Sequence, residues 1–201
     1  INLGLNILNR REDGFHNIES IFIPIPWYDE IIIEKSDQFE FQSTGVEIPG
    51  NSDNNLCIQA FKLINDYYNI SPVKIQLNKI IPIGAGLGGG SSNAAFVLKG
   101  LKELFSLDIS TQRLVELASK LGSDCAFFIE NNSVLASEKG EVLSPIKFKL
   151  DCYCIVVNPK IHVSTQVAYS QVIPKKPIIK LSDAIKNSKN KWQNMIQNDF
   201  E

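Results

Sequence analysis

The chain has 201 residues, 44% of them hydrophobic and 21% charged, with a formal net charge of -2. That is enough apolar material for a globular core, and the near-neutral balance with scattered Lys and Arg excludes a basic nucleic-acid-binding face. No run of about 18 apolar residues offers a transmembrane helix, and no signal peptide is expected.

Residues 1–9 alternate loosely and read as a strand. The charged run Arg10, Arg11, Glu12, Asp13, Gly14 reads as a turn in which Gly14 supplies a positive φ. Residues 17–25 form a second strand, closed by Pro24 and Pro26, and 29–35 and 38–43 two more. Residues 51–55 are a polar turn with several candidate N-caps. A helix follows over 56–68, with Ile58, Phe61, Leu63, Ile64 and Tyr67 at helical spacing. A β-branched strand spans 73–77 and a loop 79–90. An amphipathic helix over 91–105 carries Ala94, Ala95, Val97, Leu98, Leu101 and Leu104. Ser110 or Thr111 opens a helix that runs to Lys120 and is closed by Gly122. Residues 123–129 read as a short apolar helix start or turn, and 133–137, 141–143 and 152–158 as strands.

This order predicts an α+β fold rather than a regular parallel array. We expect a domain over residues 1–150 and part of a second over 151–201, the whole being a fragment cut at both ends. The four cysteines, Cys57, Cys125, Cys152 and Cys154, form no C-x-x-C pair. With only His16 and His162 to help, no structural zinc site is expected. Cys152 and Cys154 fall on one face of their strand and read as buried free thiols of a reducing cytosol.

The segment Pro82, Ile83, Gly84, Ala85, Gly86, Leu87, Gly88, Gly89, Gly90, Ser91, Ser92 carries the strongest chemical signal. Glycine lets backbone N–H groups approach an anion and adopt positive φ, yet it is entropically costly to order. A helix follows at once, and its N-terminus adds free donors and a partial positive charge. Together these predict a phosphate cradle in which the serines cap the helix and one ligates Mg²⁺ on a triphosphate. A Walker A loop is excluded because no lysine precedes Ser91. Gly84, Gly86 and Gly89 fit G-x-G-x-x-G, but the next element is a second helix rather than a strand tipped by an acid, so a dinucleotide site ranks below ATP. Asp124, near a helix N-terminus, is placed to stay ionised; on spacing alone it reads as a simple N-cap.

Residues 82–95 resemble the phosphate-loop signature of the GHMP kinases, the group of galactokinase, homoserine kinase and mevalonate kinase. Further segments are similar to the branch that acts on a cytidine-diphosphate-linked methylerythritol. Ile1, Asn2, Leu3 resemble the end of its first-strand motif, and Arg11 to His16 its R-x-D-G-Y-H turn, with Phe15 in place of Tyr. Gly122 to Phe128 resemble its G-S-D-V-P-F-F segment, and Asn198, Asp199, Phe200, Glu201 its N-D-x-E. The resemblance implies a two-domain GHMP-kinase-like fold with a truncated ferredoxin-like C-terminal domain. It implies ATP- and Mg²⁺-dependent phosphorylation of a hydroxyl on a small molecule, by a cytoplasmic monomer or homodimer that binds neither nucleic acid nor membrane.

By the same resemblance Asp124 is the catalytic base, and the family's partner lysine falls immediately before Ile1. Residues 82–92 hold ATP, Lys79 contacts the adenine with Asn54 or Asn55 flanking it, and Ser92 ligates the metal. Phe15, His16 and Asn2 meet the cytidylyl substrate. Tyr169, with Thr165 in the same segment, matches an aromatic of the family's P-T-x-x-I-F and forms either the second side of an aromatic sandwich or core. Two alternatives stay open: another GHMP kinase, of the homoserine or mevalonate type, and a nucleotide-binding module without catalysis.

Overall fold

The structure is a computed structural model that describes residues 1–159 and 165–201, apart from the side chains of Ser52, Thr165 and Gln166; His162 lies outside the described residues. In chain order the elements are β1 (Asn2–Arg10), β2 (His16–Phe22), β3 (Glu30–Lys35), β4 (Glu40–Gly45), α1 (Leu56–Tyr68), β5 (Val73–Lys79), α2 (Gly89–Leu104), α3 (Thr111–Leu121), α4 (Cys125–Glu130), β6 (Val134–Ser137), β7 (Val142–Pro145), α5 (Thr165–Gln171) and α6 (Leu181–Ala184). The fold is α+β. No helix among the described residues is long and apolar enough to cross a membrane.

The chain divides into two compact units, Ile1–Ile25 with Asn132–Glu201, and Pro26–Asn131. In the first, antiparallel strands run in the order β1-β2-β6-β7. Gly14 makes the β1–β2 turn at φ +84°, with open space where a Cβ would lie. In this sheet Asn2 stands opposite Phe22 and Arg10 opposite His16. One face buries Leu5, Ile7 and Ile18, against which Tyr169 and Val172 pack. Ile21, Ile23 and Leu181 form a second cluster. The Asn198–Asp199 pair docks on β1: Asp199 N–H donates to the Leu5 carbonyl at 2.8 Å, and Ile7 N–H donates to Asp199 Oδ2 at 2.7 Å.

The second unit holds a three-stranded sheet, order β3-β5-β4, in which β4 is parallel and β3 antiparallel to β5. The parallel pair is joined through α1, as a parallel connection requires. Asn55 caps α1 by accepting from Cys57 N–H, and Asn69 in the left-handed conformation ends it. Ser110 caps α3 on Arg113 N–H. The buried faces of α1, α2 and α3 meet the inner face of β5 in one core containing Ile64, Val73, Ile75, Leu98, Leu101 and Leu117.

Two sequence expectations need correction. Residues 152–158 form no strand among the described residues, and Tyr153 and Ile155 are exposed. Cys152 and Cys154 are accordingly exposed rather than buried. β1 and β2 share a sheet with β6 and β7, a long-range pairing that no local composition announces.

Candidate active site

The glycine loop runs from the end of β5 into α2. Gly84, Gly86 and Gly88 adopt φ of +70°, +69° and +64°, the left-handed region that only glycine enters without strain. The helix begins two residues earlier than its sequence suggests. Gly88 is the N-cap and makes no side-chain cap bond, and the helix's first backbone bond runs from Ser92 N–H to the Gly88 carbonyl at 2.8 Å. The amides of Gly89, Gly90 and Ser91 therefore precede that bond and belong to the helix's free donor set. Ser91 and Ser92 do not cap the helix; they are half-buried in its first turn. The loop's shape is fixed from beneath. A Cβ on Gly88 would lie 3.0 Å from Cε2 and Cζ of Phe128, and one on Gly89 would lie 3.0 Å from Lys79 Nζ. These residues fit a phosphate chain: dense amides, three left-handed glycines and no side chain where an anion would approach.

Under the loop lies a charged cluster that the sequence reading assigned otherwise. Lys79 continues the inward period of β5, after Val73, Ile75 and Leu77, and its side chain is 4% exposed. Its Nζ donates to Asp29 Oδ2 at 2.6 Å and to the Ile81 carbonyl at 2.9 Å. The Lys79 ammonium is thus bound beneath the loop and presents no surface to an adenine. Asn55 is likewise occupied as the α1 cap, while Asn54 is exposed. Sequence reasoning missed Asp29, whose Oδ1 accepts the Ile80 and Ile81 N–H groups at 2.6 and 2.8 Å and whose Oδ2 also accepts Asn93 Nδ2 at 2.9 Å. A signal existed: a lysine on the buried period of a strand demands a buried acid. Burial works to raise the Asp29 carboxyl, but the bonds from Lys79, Ile81, Ile80 and Asn93 outweigh it and hold the group below its ordinary value.

Asp124 is exposed and stands at the N-cap position of α4, but its side chain makes no cap bond. Ser123 Oγ donates to its Oδ1 at 3.3 Å. The next residue, Cys125, is buried. Its thiol is raised by burial, against a lowering hydrogen bond with Ser91 of the loop helix. The Phe128 ring of α4 lies against Gly88, so α4 packs on the loop.

The residues expected to meet the acceptor belong to the other unit. His16 stacks on Tyr169 with centroids 5.1 Å apart and planes at 18°. Tyr169 also meets Phe200 edge-on at 5.0 Å and packs on the Leu5–Ile7–Ile18 cluster, so it is both stacking partner and core. Phe15 is 59% exposed, with the Lys139 ammonium 5.1 Å from its ring centroid. Thr165 opens α5. Asn2 is exposed at the opposite end of β1 from the residue facing His16. The two positions are eight residue steps apart along the strand, about 26 Å at 3.3 Å per residue, so one nucleobase cannot touch both. Among the described residues no group of three or more His, Cys, Asp or Glu could hold a metal ion.

Residues 55–131 match the family described as GHMP kinases N terminal domain. The 4-diphosphocytidyl-2-C-methyl-D-erythritol kinase of Cytophaga hutchinsonii is 46% identical over 203 residues, covering 100% of this chain and 75% of that protein. The enzyme of the same name from Bacteroides fragilis is 43% identical over 206 residues, with the same coverage of 100% and 75%. A crystal structure of a 4-(cytidine 5'-diphospho)-2C-methyl-D-erythritol kinase aligns over 100% of this chain and 73% of that one, with a TM-score of 0.81 and 29% identity.

Proposed function

This chain belongs to the GHMP kinase family, and from that premise we propose that it transfers the terminal phosphoryl group of ATP to the 2-hydroxyl of 4-diphosphocytidyl-2-C-methyl-D-erythritol, a step of non-mevalonate isoprenoid precursor synthesis. The observation that carries the chemistry is an exposed carboxylate, Asp124, which makes no side-chain cap bond and opens α4, the helix whose Phe128 ring packs on Gly88 of the glycine loop. In the transfer, Asp124 accepts the proton of the substrate hydroxyl. The oxygen forms a bond to the terminal phosphorus as the bridging P–O bond of ATP breaks, and ADP leaves. The loop amides and the N-terminus of α2 hold the phosphates and meet the charge that spreads over the transferring group. Ser92 would be a protein ligand of Mg²⁺, which when bound neutralises phosphate charge.

The stacked His16–Tyr169 pair, flanked by exposed Phe15, supports recognition of a cytosine, whose flat face suits such a platform. The same reading assigns residues 1–150 to the ATP-binding domain and 151–201 to part of the second. A cytoplasmic setting agrees with the four cysteines, all of them free.

The test is ADP release from ATP with the cytidylyl substrate, homoserine or mevalonate as acceptor. Transfer confined to the cytidylyl substrate supports the reading; preference for either of the others overturns it. Asp124→Asn should lower kcat by about 2–4 orders of magnitude, the usual range for a general base, with nucleotide affinity unchanged. Full turnover in that variant removes Asp124 from the role.

A further inference from the structure

The Asp29 carboxylate receives four hydrogen bonds, two from the chain entering the glycine loop, one from Lys79 and one from the helix leaving it. Its side chain is 0% exposed, and it lies about 50 residues before the loop in sequence. We propose that Asp29 is a positioning residue for nucleotide binding: it fixes where the glycine loop starts and ends, and so sets the aim of the phosphate-binding amides. The inference rests on the reading of that loop as the ATP site.

The geometry favours this over a merely structural ion pair. Oδ1 fixes the Ile80 and Ile81 amides, the first two residues after β5. Oδ2 holds Asn93, in the second turn of α2. Lys79 completes the brace by donating to the Ile81 carbonyl as well, and Gly89 lies directly over its ammonium, where a Cβ would be 3.0 Å from Nζ. Both ends of the loop are therefore tied to one rigid group, and the loop's own glycines are free to face a ligand. A displacement of about 1 Å in such a cradle costs up to about two orders of magnitude in function.

The experiment measures binding of a non-hydrolysable ATP analogue by calorimetry, and the KM of each substrate, in the full chain and in Asp29→Asn and Asn93→Ala. In Asp29→Asn the negative charge beside the Lys79 ammonium is lost and only one acceptor oxygen remains, so the four bonds that Asp29 accepts cannot all be kept. The nucleotide Kd should rise about tenfold or more, while the KM of the acceptor stays within about twofold of the native value. General destabilisation would instead lower the active fraction and leave the Kd of folded protein unchanged. Asn93→Ala cuts only the tie to α2 and keeps the ion pair, so it provides a folded variant should Asp29→Asn fail to fold. Its nucleotide Kd should rise about threefold or more at near-native thermal stability. Native nucleotide affinity in folded Asn93→Ala, or in folded Asp29→Asn, overturns the proposal alone. Absence of analogue binding by the native protein overturns the loop reading, and the Asp29 proposal with it.

Discussion

Replacing Gly86 and Gly88 separately by alanine separates backbone conformation from contact in the phosphate loop. Both glycines are left-handed, at φ +69° and +64°, so alanine at either position costs about 1–2 kcal/mol of conformational strain. At Gly86 a Cβ meets nothing within 4 Å, whereas at Gly88 it falls 3.0 Å from two carbons of the Phe128 ring. That is at least 0.5 Å inside the roughly 3.5–4.0 Å optimum for carbon contacts. The ring has little room to retreat, since it is edge-on to Phe127 at 4.9 Å and packs on the core. Overpacking of this kind adds about 1–3 kcal/mol. Urea unfolding monitored by circular dichroism should place Gly86→Ala about 1–2 kcal/mol below the native protein and Gly88→Ala a further 1–3 kcal/mol or so below that, at similar m-values. In a Phe128→Leu background the extra loss at Gly88 should vanish. Equal stability of the two alanine variants, or a surplus that survives Phe128→Leu, refutes the assignment of Phe128 as the support of the loop.

Thiol titration of native protein should count two fast cysteines, Cys152 and Cys154, and two that react only after unfolding. Cys125 is buried, and burial beside Asp29 pushes the Cys57 thiol up to about 12 despite the nearby Lys79; four fast thiols would contradict this. His16→Ala removes one ring of the stacked pair and should raise the KM for the cytidylyl substrate about two- to tenfold, the equivalent of about 0.5–1.5 kcal/mol, leaving nucleotide KM unchanged. His16→Phe, which keeps a ring, should retain most of that affinity. In acid, Asp29 has a folded-state pKa below its unfolded value of about 3.9. Its stabilisation is therefore complete above pH of about 4 and lost as pH falls through the folded pKa. Between pH 6 and 3 or so, Asp29→Asn should lose less of its urea midpoint than the native protein; an equal loss would mean that Asp29 does not stabilise the fold through its charge.

The elements that sequence periodicity disclosed best are those whose periodicity and termini agree. The helix over 56–68 coincides with α1, because its apolar spacing and Asn55 cap mark the same start. Ser110 and Gly122 bracket α3 for the same reason. The glycine loop was legible from composition, but the start of α2 was not. Serine is the stronger cap by propensity, yet here a left-handed Gly88 starts the helix and winds two glycines into its first turn. Residues 152–158 misled because alternation specifies which faces a strand would have, and says nothing of whether a neighbouring strand exists to pair with it. The exposed Asp124 was legible only through resemblance, since a carboxylate before a short helix reads equally as a cap.

Asp29 and Asp199 share a physical logic that neither composition nor spacing could reveal. Chain irregularity leaves backbone N–H groups without ladder partners, and buried donors must be satisfied. At the end of β5 these are Ile80 and Ile81. On β1, where the register with β2 shifts between Ile7 and Asn9, the donor is Ile7. In each case one acidic side chain from far along the sequence accepts them and stands beside a lysine, Lys79 at 2.6 Å and Lys175 at 3.5 Å. Apolar side chains could fill comparable volumes, and replacing buried ion pairs that way is often neutral or stabilising. A carboxylate differs in being able to accept several bonds from fixed directions at once. Its use here fixes geometry more than it adds stability. Such an acid should tolerate loss of its lysine partner less well than simultaneous replacement of both, because the former leaves an uncompensated buried charge while the latter leaves none.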